Sequence, residues 1–140
     1  MLVLLAAFAL MQPIPAGVVT VAQGTYSRVE DATEAVIRTE SEWQALWKTH
    51  GGNGPAPSVD FTKEMIAAVF LGTRPTGGYS VEIVRARPDG KALVIEYVER
   101  RPSADAIVTQ ALTSPFHVVK LPKHDGPVSF RNGSPAGALR

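Results

Sequence analysis

The sequence predicts a mainly β domain: an antiparallel sheet or sandwich of five to seven strands, with one helix near residues 40–50. Three observations lead there. Short β-branched or alternating segments recur from Met65 onward, each bounded by Gly or Pro. One segment alone, following Thr39, carries both a helix-start pattern and helical spacing of apolar residues. Strands therefore do not alternate with helices, which argues against repeated βαβ units. The chain has 140 residues, 45% hydrophobic and 19% charged, which suits a single globular core and is too apolar for disorder.

In chain order, the stretch from Gln23 to Thr39 reads as one or two short extended pieces around Val36 and Ile37. Thr39-Glu40-Ser41-Glu42 is a capping-box pattern, and Trp43, Leu46 and Trp47 follow at i, i+3, i+4 spacing, so Trp43 and Trp47 are expected to pack on the sheet. Gly51-Gly52-Asn53-Gly54-Pro55 ends that helix near His50. Met65 to Leu71 (MIAAVFL) is apolar throughout and predicts a central strand buried on both faces. Tyr79, Val81 and Ile83 alternate with polar residues, Pro88-Asp89-Gly90 closes a hairpin, and Ala92 to Val98 returns. Further extended runs are expected at Ala106 to Leu112 and Phe116 to Leu121, with a short edge strand at Val128 to Phe130. No internal repeat is present.

Leu2 to Met11 (LVLLAAFALM) is an uninterrupted apolar run, too short to span a bilayer and followed by Pro13 and Pro15. A secretory signal segment over residues 1–22 fits it, with cleavage after Ala22 or, alternatively, after Ala16; a buried N-terminal strand is the competing reading. The domain would then occupy 23–124, followed by an edge strand and tail over 125–140. The expected location is secreted or periplasmic. Cysteine is absent, which excludes disulfides, a thiol nucleophile and a lipidated N-terminal cysteine, so no stable membrane anchor is expected after processing.

The familiar chemistries find no purchase. Fourteen basic residues against 13 acidic ones, with no densely basic stretch, make nucleic acid an unexpected partner. His50, His117 and His124 are too scattered for a metal site and are assigned to a loop, a strand and a loop. Gly78-Tyr79-Ser80 lacks the second glycine of a nucleophile elbow, and Gly51 to Gly54 matches no phosphate-binding loop. No catalytic residue, metal or cofactor is assigned, and binding is the expected role.

Two loops stand out as a partner-binding site. Arg74-Pro75-Thr76-Gly77 places Pro and Gly as a type I turn prefers, and Gly78 is free to take positive φ, so Arg74, Thr76 and Tyr79 would be presented on a stiff connector. In the second loop, Thr113, Ser114, Pro115 and Phe116, Pro115 forces Ser114 to extend and sets Phe116 at a strand start, where it is either presented or part of the core. The expected partner is a protein.

The same residues carry a resemblance. AVFLGTRPTGGYSVEI (Ala68 to Ile83) and VTQALTSPFHVVKLP (Val108 to Pro122) resemble the PrcB C-terminal domain family, and the likeness takes in the upstream SEWQALWK. It implies an accessory or stabilising subunit of a secreted or envelope protease complex, and so a protease as partner. A weaker likeness links Arg74 to Tyr79 and Ser114-Pro115-Phe116 to the paired loops of chagasin-type cysteine protease inhibitors, with Arg, Gly and Ser standing where that family has Asn, Thr and Arg. It implies an inhibitor as the alternative; a small hydrolase is a third class.

Overall fold

A computed structural model of the protein describes residues 17–134. Among these residues lie seven strands and one helix in the order β1 (Val19–Gly24), β2 (Thr33–Ile37), α1 (Glu40–His50), β3 (Glu64–Phe70), β4 (Ser80–Asp89), β5 (Ala92–Arg100), β6 (Phe116–Pro122) and β7 (Val128–Asn132). They form two sheets, β1-β6-β3-β2 and β4-β5-β7, stacked as a sandwich with α1 on the outer face of the first. The mainly β class holds.

Alternation on β3 explains its unbroken apolar run. Met65, Ala67 and Val69 point between the sheets, where they meet Val81, Ile83, Ile95, Tyr97, Val119 and Leu121. Ile66, Ala68 and Phe70 point the other way, to Trp43, Phe116 and Val118 beneath the helix. Each face of the strand therefore serves a separate core.

The helix starts and stops as its sequence dictates. Thr39 is the N-cap, its hydroxyl accepting from the Glu42 amide at 3.2 Å. Gly51, at φ 85°, closes the C-terminus. Trp43 is fully buried and donates its indole N–H to Pro57 O at 2.8 Å. His50 is the last helical residue, not a loop residue, and it is buried against Phe116 at a ring separation of 4.3 Å.

Three further expectations are corrected. Ala106 to Leu112 is not a strand: it lies in the irregular connection 101–115, because Ile107 has no sheet face to enter and stays fully exposed. The edge strand β7 is parallel to β5, since its chain returns along the opposite end of the sandwich after Pro122. Strand β1 begins at Val19, ahead of the expected domain start at Gln23; Val19, Thr20 and Ala22 pair with Lys120, Val119 and Val118. A cut after Ala22 would thus remove most of β1, whereas a cut after Ala16 would leave it whole. The rest of the apolar leader, residues 1–16, lies outside the described residues. The hairpin after Asp89 turns through Gly90 and Lys91, with Pro88 still in register with Leu93.

The edge of β4 is closed onto the first sheet by side chains. His117, buried on β6, accepts the Ile83 amide at Nδ1 (2.8 Å), so its Nε2 carries the proton and donates to Thr20 Oγ1 (2.8 Å). Gln23 donates to Val81 O at 3.1 Å. Burial lowers the His117 pKa below its ordinary value, while Glu82 pulls it back upward.

Candidate functional site

Antiparallel pairing brings the end of β3, the starts of β4 and β6 and the ends of β1 and β5 to one pole of the sandwich. The two loops singled out from the sequence meet there. Arg74 and Thr113 exchange both backbone hydrogen bonds, at 2.7 and 3.0 Å, and the Thr113 hydroxyl donates to Thr76 O at 2.8 Å. Leu71 N donates to Pro115 O at 2.9 Å. The expected type I turn at Arg74 to Gly77 is a bend without its own closing bond. The Arg74 carbonyl is taken by the Thr113 amide, and the Gly77 amide turns to Thr109 O at 2.9 Å.

Gly77 and Gly78 form a seat for the second loop. Gly78 adopts φ 91°, and a Cβ placed on it would stand 2.8 Å from Pro102 Cβ and 3.0 Å from Val108 Cγ1. One on Gly77 would come within 3.2 Å of Thr109 Cβ. The paired glycines thus serve both the backbone conformation and the close approach of residues 102–109. A third segment completes the pole: Ser27 N donates to Ser114 O, Ser114 N to Thr25 O, and Thr73 N to Glu30 O.

Side chains divide into inward and outward sets. Arg74 turns inward: its guanidinium donates to Glu99 Oε2 at 3.0 Å and to Leu71 O at 3.0 Å, and it lies 5.8 Å from the Tyr79 ring centroid. Glu99 is only 8% exposed, so Arg74 neutralises a buried carboxylate, with Arg101 3.6 Å away as a second partner. Thr113, Pro115 and Phe116 are buried, Phe116 stacking on Phe70 at 6.2 Å. Of the ten residues expected to meet a partner, Pro75 and Gly78 are exposed, and Arg74, Thr76, Gly77, Tyr79 and Ser114 are half-buried.

The outward set includes residues that sequence reasoning read otherwise. Ile107 is 101% exposed, Leu112 68% and Tyr26 67%. Reading Ala106 to Leu112 as a strand hid the first two; its flanking Pro102 and Ser114-Pro115, with Ser103 and Asp105 between, marked it as a long loop instead. Beside the pole a cleft of about 300 Å³ opens between the sheets, with Glu34, Arg74, Tyr97 and Glu99 among its lining residues. The Tyr97 hydroxyl donates to Glu34 at 2.8 Å, and burial, followed by that bond, raises the Tyr97 pKa above its ordinary range. Both carboxylates are therefore engaged within the fold. Among the described residues no group of three or more His, Cys, Asp or Glu is placed to hold a metal ion.

Residues 65–122 match the family model described as PrcB C-terminal. No curated protein and no solved structure matches the chain. The matched stretch runs from β3 through β6 and contains both interlocked loops, so this part of the chain is similar to the PrcB C-terminal family.

Proposed function

We propose that the protein is an exported, non-catalytic binding module whose loop pole docks a protein partner, and that it serves as an accessory or stabilising subunit of a protease complex in the cell envelope or outside the cell. The observation that carries the binding reading is the exposure of Ile107 and Leu112 on a connection whose base is fixed by the Gly77-Gly78 seat and the Thr113 bridge. Apolar side chains held in water by an anchored loop gain by being covered, and a loop already positioned loses little entropy when that happens. Tyr26 stands on the adjoining segment and offers an amphipathic ring. The similarity of residues 65–122 to the PrcB C-terminal model supports a protease as the partner, and the apolar leader at Leu2 to Met11 supports export.

The inhibitor reading is less well supported, because Phe116 lies in the core and leaves the second loop without an aromatic to present. The test is affinity capture from the envelope and secreted fractions of the source cells, with the wild-type chain and with Ile107→Ser/Leu112→Ser as bait. A partner held by the first and released by the second is expected, with a protease among the proteins recovered. Equal recovery by both baits would remove the loop pole as the docking site, and a partner set without a protease would remove the accessory-subunit role.

A further inference from the structure

The outer face of the β4-β5-β7 sheet carries more positive charge than its own ion pairs neutralise, at a distance from the loop pole. Inward residues on these strands, Ile83, Leu93, Ile95, Val128 and Phe130, belong to the core between the sheets. Glu96, on the opposite face of β5, is flanked by Arg85 of β4 and Arg131 of β7 as its cross-strand neighbours. A bulge between Ile83 and Arg85 resets the register of β4, so that Arg85 and Arg87 both fall on the wet face. Arg85 Nε and Arg87 Nε donate to the two separate oxygens of Glu96, at 2.5 and 2.7 Å. These hydrogen bonds hold the Glu96 carboxyl below its usual range, so it stays charged.

Arg85, Arg87, Arg131, Glu96 and Gly133 line a shallow cleft of about 440 Å³, with three guanidinium groups against one carboxylate. Farther along the face, Arg100 pairs with Glu82 at 3.1 Å and is locally neutral. Asp89, at the hairpin tip beyond the cleft, acts on Arg87 through its charge alone. Arg85 is 60% exposed, and each guanidinium has five donors, of which Glu96 occupies few. A sheet face that only needed solubility would mix the two signs evenly.

We propose that this face docks an acidic peptide segment of a partner protein, its carboxylates taking the outward donors of Arg85, Arg87 and Arg131. Forked guanidinium donors match planar carboxylates in bidentate geometry. The cleft is open and runs across three strands, which suits an extended chain better than an isolated ion, and the chain as a whole carries a net charge of only +1, which gives no field for a nucleic acid. This assignment stands independently of the loop pole.

The experiment is a fluorescence-anisotropy titration of the full chain with labelled oligoglutamate, and with oligolysine and a mixed uncharged peptide as controls. Arg85→Gln/Arg87→Gln/Arg131→Gln should weaken oligoglutamate binding at least about tenfold. Raised salt should weaken it as well. Glu96→Gln should strengthen it, because an internal competitor for the guanidinium groups is removed. Ile107→Ser/Leu112→Ser should leave it unchanged, and urea unfolding of each variant establishes that the fold is intact. The proposal is overturned if oligoglutamate does not bind, if the uncharged peptide binds as well, or if Glu96→Gln fails to strengthen binding. It is equally overturned if an anionic polysaccharide or a DNA strand binds more tightly through the same arginines, or if the face mediates only self-association of the chain at low salt.

Discussion

Arg74 was the most eye-catching side chain of the sequence, and its position changes what substituting it would test. Because it neutralises Glu99 and caps Leu71 O, Arg74→Ala strands a carboxylate that is 8% exposed, with Arg101 3.6 Å away as partial relief. With Arg74 itself 25% exposed, a loss of about 1–3 kcal/mol is expected in urea unfolding; a change below about 0.5 kcal/mol would contradict the pairing. His50 and His117 contribute to the acid limb of stability. Both have pKa values lowered by burial from an ordinary value near 6.5. As pH falls through that value the unfolded chain binds protons first, so the contribution of these two histidines is complete above about pH 6.5 and declines as pH drops toward the folded-state values. His117→Leu should cost about 1–3 kcal/mol at neutral pH, since the Ile83 amide loses its acceptor, and should flatten that decline. Urea midpoints measured across the range check both effects, and an unaltered pH profile would refute the His117 part.

At the scale of elements, local chemistry was legible and long-range partnership was not. Thr39 with Glu42, the tryptophan spacing and Gly51 announced α1, and the doubly apolar run announced β3, because each is written in neighbouring residues. Ala106 to Leu112 alternates as a strand would, yet strandness requires an adjacent edge, and its backbone meets Gly77 instead. Likewise Pro75 and Gly77 spelled a turn whose closing bond Thr113 and Thr109 displaced. Of the candidate site, the motifs picked out both loops but left their adjacency open, and which side chains face water was not legible, since that depends on Glu99 and on Phe70. The glycine seat is testable. Gly78→Ala should cost about 2 kcal/mol or more and shift the amide resonances of residues 102–109, while Gly90→Ala, also at positive φ but with open space around it, should cost about 1 kcal/mol and leave them unmoved. Strand β1 offers a second check. A chain beginning at Gln23 loses the Val19 to Ala22 pairing and the Thr20–His117 bond, and should be less stable than one beginning at Gly17 by about 2–4 kcal/mol. Equal stability would mean that β1 contributes nothing to the domain.

For the whole molecule, the two sheets and the helix divide the work by place. The helix and both cores give a frame in which, among the described residues, every buried side-chain polar atom has a partner. One pole gathers three interlocked segments, and the loop of 101–115 carries apolar side chains outward from it. On a frame so fully satisfied, Ile107→Ser/Leu112→Ser should change stability by less than about 0.5 kcal/mol, because surface side chains with nothing to pack on contribute little. That separation of binding from folding makes the pair the most direct test of the central claim, that the loop pole is where a protein partner docks. The measurement is quantitative affinity capture from envelope and secreted fractions with matched, equally stable wild-type and doubly substituted baits. Docking at the pole predicts a partner retained by the wild type and lost with the two substitutions; the same partner retained equally by both would contradict it.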